Sequence, residues 1–191
     1  MKSGNRNLQA FAVGVLLVTC GVLFSCDAPV GAPEETALVI NEFMADNNGV
    51  DSIVDGAGQA DDWIELFNRG NEAAVLSGYV LSDDSTDLSA YSLPDTVIPP
   101  GGYLLIWADD EPSQGALHAP FKLSAFDGDE IILSTRDGII IDRIQFFPRN
   151  NNPVARVPGT SYGRIADGAN RWDQQKTPTP GASNSGGRGE P

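Results

Sequence analysis

Basic residues are scarce in this chain: 12 Lys and Arg stand against 26 Asp and Glu, a net charge of −14. A field of that sign repels phosphate backbones and anionic lipid, which argues against nucleic acid as a partner and leaves cations and basic protein surfaces. Histidine and cysteine are scarcer still, at one and two residues. Cys20 falls inside an apolar run, so only Cys26 remains beyond it. That excludes an internal disulfide, thiol catalysis and thiolate metal sites. A sustained 3.6-residue hydrophobic period is also missing, which removes helical bundles and strand–helix alternation. What remains is a set of short runs rich in Val, Ile, Leu, Tyr, Phe and Trp, punctuated by Gly, Pro, Asn and Asp. This is the pattern of an all-β chain.

The N-terminus differs from the rest. Residues 1–26 read MKSGNRNLQAFAVGVLLVTCGVLFSC: two basic residues, an uncharged apolar stretch from Leu8 to Phe24, then Ser25 and Cys26. That order is the order of an export signal. Leu23-Phe24-Ser25-Cys26 resembles the lipobox of bacterial lipoproteins. The resemblance implies a signal over 1–25 and a diacylated Cys26 that anchors the chain in a membrane of the cell envelope. Two acyl chains hold stably where one does not. Residues 26–36, with Pro, Gly and acid but no periodicity, read as an extended tether. Residues 185–191, SGGRGEP, have nothing to bury and read as a disordered tail.

Between them, 37–184 form one domain of about eight strands. These are expected at 38–45, 62–68, 78–82, 96–98, 102–108, 130–135, 138–147 and 161–165, a spacing that suits a β-sandwich. Turn chemistry supports the boundaries at Asn68-Arg69-Gly70-Asn71, Pro99-Pro100-Gly101-Gly102 and Arg136-Asp137-Gly138, the last closing the clearest hairpin. Alternation in Ala60-Asp61-Asp62-Trp63-Ile64-Glu65-Leu66-Phe67-Asn68 places Ile64 and Leu66 in the core and Glu65 on the outer face between two aromatics. The same arithmetic pairs Tyr79 with Leu81. Both faces of 102–107 are apolar, so that strand is expected inside a sheet and covered on both sides.

Several segments, read in order, are similar to the bacterial lamin tail domain: 39–47 (VINEFMADN), 62–68 (DWIELFN), 76–84 (LSGYVLSDD), 98–103 (IPPGGY), 117–124 (LHAPFKLS), the hairpin ending in Ile141-Asp142, Ser161-Tyr162-Gly163-Arg164 and 177–182 (TPTPGA). The resemblance covers nearly the whole of 37–184. It implies an immunoglobulin-like β-sandwich serving as a binding or structural module; an envelope protein or a glycan is the partner expected of it. The related fold in nuclear lamins serves protein association and is reported to contact DNA, a setting that the acidity here opposes.

Candidate chemistry rests on acids. His118 precedes a proline-containing segment and no Gly-x-Ser-x-Gly elbow occurs, so a hydrogen-bonding role in a loop is expected of it, not catalysis. No cofactor is expected except structural calcium. Asp46, Asp55, Asp61 and Asp62 belong to one long connection, with Asn47, Asn48 and Asp51, and Asp83, Asp84 and Asp87 follow a later strand. Should those loops meet, carboxylate and carbonyl oxygens would suit Ca²⁺, although the Asp-x-Asp-x-Asp-Gly spacing is missing and a solvated acidic surface is the plainer alternative. A carboxylate-dependent hydrolase acting on glycans or phosphoesters is the competing functional class, requiring Asp62, Glu65 and Asp83 to converge in an apolar-walled pocket. Asp109-Asp110-Glu111 reads as a solvated loop and Asp127-Gly128-Asp129 as a turn. Asp142, between isoleucines, needs a partner, for which Arg164 and Arg143 are the candidates. Trp63, Tyr79, Tyr103 and Trp107 are expected in the core, the alternative being an exposed aromatic platform for a glycan or protein; Trp172 is open to either.

Overall fold

The computed structural model describes residues 37–49, 52–146 and 158–184. The expected signal 1–25, the tether 26–36 with Cys26, and the tail 185–191 lie outside the described residues. Among the described residues twelve strands follow one another: β1 (Leu38–Met44), β2 (Asp62–Asn68), β3 (Ala74–Val75), β4 (Tyr79–Ser82), β5 (Tyr91–Ser92), β6 (Val97–Ile98), β7 (Tyr103–Ala108), β8 (His118–Ala119), β9 (Asp129–Thr135), β10 (Ile140–Phe146), β11 (Ser161–Arg164) and β12 (Trp172–Gln175). The expected eight are all present within two residues of their bounds. The other four are β3, β5 and β8, pairs too short to show alternation, and β12, whose sequence WDQQ carries one apolar residue.

A six-stranded sheet in the order β12-β11-β1-β2-β7-β8 faces a four-stranded sheet in the order β10-β9-β4-β5, and β3 and β6 form a separate ribbon. This is an immunoglobulin-like β-sandwich. Between the sheets lie Leu38, Ile40, Phe43, Ile64, Leu66 and Ile106 from one side and Leu81, Ile131, Leu133 and Phe146 from the other. Ile64 and Leu66 point inward as alternation requires, and Tyr79 and Leu81 share the inner face of β4. The 135–138 hairpin turn is closed by Gly138 N–H donating to Thr135 O at 2.9 Å, with Gly138 at φ 79°, a left-handed conformation that favours glycine. β7 sits inside its sheet between β2 and β8, and Ile106 and Trp107 are buried against opposite faces.

Two bulges set the phase of the sandwich. In β1, Ile40 pairs with Leu66 and Glu42 with Glu65, so Asn41 has no partner across the ladder. An extra residue reverses alternation. Leu38 and Ile40 face the core before it, Phe43 and Ala45 after it, and Glu42 and Met44 are turned to the opposite face. A matching irregularity in β10 falls between Ile140 and Asp142. There Asp142 crosses to the other sheet, its Oδ2 accepting Ile40 N–H at 2.9 Å and Arg164 Nη2 at 2.6 Å. The partner of Asp142 is therefore Arg164, while Arg143 pairs with Glu130 nearer the surface.

The back of the six-stranded sheet is not a wet face. Met44, Trp63 and Trp107 form a second cluster there, packed by Ile53 and Leu105. Glu65, expected on the outer face of β2, is 0% exposed. The physical cause is plain: irregular chain from 45–49, 52–61 and 176–184 lies over that face as a third layer, so alternation still separates two sides but both are dry. The 45–61 connection is held by the buried side chain of Asn47, whose Nδ2 donates to Ile53 O at 2.5 Å and Asp61 O at 2.9 Å while its Oδ1 accepts Ile53 N–H at 3.2 Å. Asn47→Ala leaves those groups without their partner, and we expect a loss of about 2 kcal/mol in urea unfolding together with faster amide exchange at Ile53.

Candidate functional site

Three groups of acids emerge, each built by a different part of the fold. The first is buried. The bulge at Asn41 places Glu42 beside Glu65 across the β1–β2 ladder, both at 0% exposure. Glu42 accepts Thr179 Oγ1 at 2.6 Å, Thr179 N–H at 3.1 Å and the Ser161 hydroxyl. Glu65 accepts Gly181 N–H at 2.5 Å and Asn41 Nδ2 at 3.1 Å. The same Asn41 amide donates to Asp167 Oδ1 at 3.0 Å, and Tyr103 OH donates to Asp167 Oδ2 at 2.7 Å. Asn184 completes the group, its Nδ2 donating to Asn41 O at 3.1 Å and Arg164 O at 2.9 Å. Gly163 permits this approach: a Cβ there would lie 3.0 Å from Asn184 Nδ2 and 3.2 Å from Glu42 Cγ.

Burial dominates the electrostatics of this group. It pushes Glu65 up to about 7, against the donors Gly181 and Asn41 and with the charges of Glu42 and Asp167 adding to it. Glu42 is raised for the same leading reason. Burial also acts on Asp167, but there hydrogen bonds from Ser183, Asn184, Tyr103 and Asn41 outweigh it and hold the carboxyl below its usual range. All these acids are spent on fastening residues 179–184 to the sheet.

The second group stands at the end of the sheet where β2 begins and β7 ends. Asp55 Oδ1 accepts Ala57 N–H at 2.9 Å and Gln59 N–H at 2.8 Å, shaping the loop. Asp62 opens β2, accepts an N–H from Leu123 and is pushed up to about 7, chiefly by burial, with Asp46 and Asp61 contributing. Asp61 is raised by burial and then by Asp109. Asp109, which the sequence suggests is solvated, is 0% exposed: β8 runs parallel to β7 and brings His118 Nδ1 onto Asp109 Oδ2, while Oδ1 accepts Glu111 N–H at 2.9 Å. His118 thus has the hydrogen-bonding role expected of it, in a two-residue strand and not a loop. The dyad has no signature in sequence, because Asp109 and His118 come together only through the β7–β8 pairing.

Asp83 and Asp84 belong to a third group. With Asp127, Gly128, Asp129, Glu130 and Gln145 they line an open depression of about 250 Å³ at the rim of the four-stranded sheet. The backbone between the two rim groups is already engaged, Leu123 N–H on Asp62 and Ser124 N–H on Asp129 Oδ2 at 2.9 Å. The six aspartates expected around one calcium are therefore divided, Asp55, Asp61 and Asp62 on one side of that backbone and Asp83 and Asp84 on the other, with Asp46 close enough to Asp62 to raise it. The hydrolase triplet is also dispersed. Asp62 and Glu65 are three residues apart on one strand and so face opposite sides, Glu65 is shut beneath 176–184, and Asp83 follows a strand of the other sheet. Trp172 packs on Tyr162 at 5.7 Å and carries the Arg164 guanidinium 4.8 Å above its ring, which settles it as part of the sandwich edge.

The Lamin Tail Domain family model matches residues 32–147. The chain belongs to the lamin tail domain family. No curated protein matches it. The matched span ends before β11 and β12, yet β11 lies hydrogen-bonded to β1 within the sheet. The sandwich thus continues past the matched span, with the 179–184 segment held on it by Glu42 and Glu65.

Proposed function

We propose that the protein is a cell-envelope lipoprotein, anchored through Cys26, whose lamin tail domain is a non-catalytic binding or structural module for an envelope protein or glycan. The observation that carries the reading is the fate of the acids: those the sequence offers for catalysis are either buried in fastening the chain or separated on different faces. Family membership supports the same class, and the apolar run ending in Ser25-Cys26 supports the anchor. A tether with the Pro, Gly and acid composition of 26–36 suits a sandwich that makes contact away from the membrane surface.

The test uses the full chain expressed in a bacterial host. Fractionation is expected to place the wild type with membranes and Cys26→Ser in the soluble fraction, and cross-linking in the envelope is expected to capture a defined protein or glycan. Equal membrane retention of Cys26→Ser would remove the lipid anchor from the reading. Turnover of glycan or phosphoester substrates that is lost in Asp62→Asn would replace a contact module by an enzyme.

A further inference from the structure

We propose that Asp55, Asp109 and His118 form a binding site for a divalent transition-metal ion of the zinc class. Each offers one ligand atom, two carboxylate oxygens and an imidazole nitrogen, and these lie within 4.8 Å of one another. Donors bound tetrahedrally to one zinc at about 2 Å lie roughly 3.3 Å apart, so rotation of side chains closes the set without moving the strands. Two of the three come from fixed backbone, Asp109 directly after β7 and His118 in β8, whose register partner Trp107 lies two residues before Asp109.

The second observation is on Asp55. That residue is only 9% exposed, and its Oδ2 is buried with no hydrogen-bond partner, while Oδ1 is fully used by the amides of Ala57 and Gln59. A buried carboxylate oxygen left unpaired is unfavourable unless a donor or a positive charge meets it. The surroundings add to the demand. Asp109, Glu111 and Asp55 all act on the neighbouring Asp61, with Lys122 as the opposing charge. Gln114 Nε2 donates to Gln59 Oε1 at 2.7 Å and so ties the Asp55 loop to the turn that precedes His118. The acids are held in place before any ion arrives.

The donor chemistry decides which ion. Calcium takes six to eight oxygens, and neither the imidazole nor a set of three suits it. Nitrogen with carboxylate oxygen suits zinc, and to a lesser extent manganese or cobalt, with water completing the shell. Asp55 is the one member of this trio among the aspartates that sequence spacing suggests for a metal; Asp109 and His118 enter only through the fold.

His118 is the chain's one histidine, so its ring resonances report the site directly in untagged full-length protein. Adding one equivalent of Zn²⁺ to metal-free protein is expected to shift those resonances, and calorimetry to show one site of micromolar or tighter affinity. Asp55→Asn, which keeps an oxygen for the two loop amides, and His118→Gln are each expected to weaken Zn²⁺ at least tenfold. The proposal is overturned if Zn²⁺ leaves the His118 ring unshifted, if both variants bind it like the wild type, or if Ca²⁺ binds at this place as tightly as Zn²⁺. The ring measurement needs no variant, so poor folding of either substitution leaves the test intact.

Discussion

Arg164→Ala is expected to lose about 3–5 kcal/mol of folding free energy, the range for removing one partner of a buried ion pair. The guanidinium is 5% exposed and ties three parts of the fold: Nη2 to Asp142 across the sandwich at 2.6 Å, Nε to Ile40 O at 2.7 Å, and Nη1 to Ala169 O. Removing it strands the Asp142 carboxylate between the sheets and leaves the bulge carbonyl of Ile40 without its donor. Against a typical stability of roughly 5–15 kcal/mol, this is about a fifth or more of the total, and the melting temperature should fall by about 10 °C or more. Arg164→Lys should restore little, because an ammonium cannot span three acceptors set by a planar fork. Arg143→Ala is the control. Its pair with Glu130 sits nearer the solvent, and the expected loss is under about 1 kcal/mol. Equal effects of the two alanine variants would refute the distinction between the pairs.

The second large effect is a dependence on pH centred on Glu65. Its carboxyl is pushed up to about 7 in the fold, mainly by burial, from an ordinary 4.5. Between those values the folded protein binds more protons than the unfolded one, so stability falls as pH rises through that window and levels off above it. The contribution is fully present below the unfolded value and lost above the folded one, on the order of 3 kcal/mol for a shift of this size. Asp62, pushed up to about 7, and Glu42, raised by the same desolvation, add in the same direction. Asp167, held low, acts oppositely and only at acid pH. Denaturant midpoints from pH 4.5 to 8 should therefore decline in the wild type, and the slope should be clearly reduced in Glu65→Gln, which cannot ionise and keeps an oxygen for Gly181. An unchanged slope in Glu65→Gln would assign the pH dependence to other acids.

Much of the sandwich is legible in residue order. Period-two alternation around Ile64 and Leu66, isoleucines flanking Arg136-Asp137-Gly138, and the double proline before Gly101-Gly102 locate strands and turns because each is a local preference of a few neighbouring residues. Asp142 between isoleucines announces a buried partner, since a charge in a core strand has few alternatives. Glu65 defeats the same reasoning. Its neighbours state which side of β2 it takes, but only residues 179–184, more than a hundred positions away, state that the side is dry. Asn41 gives no local sign of a bulge either, so the reversal that brings Glu42 beside Glu65 is invisible to a pattern read along one strand.

The sequence by itself determined eight of the strands, the inward aliphatic face, the acidity and the family, because these are properties of adjacent residues or of the chain's sum. Tertiary structure alone decided which carboxylates are spent on holding the chain, which are divided between two rims, and which meet His118. Distance between side chains far apart in sequence depends on bulges, sheet order and the path of irregular segments, and none of those is written in the residues that they bring together.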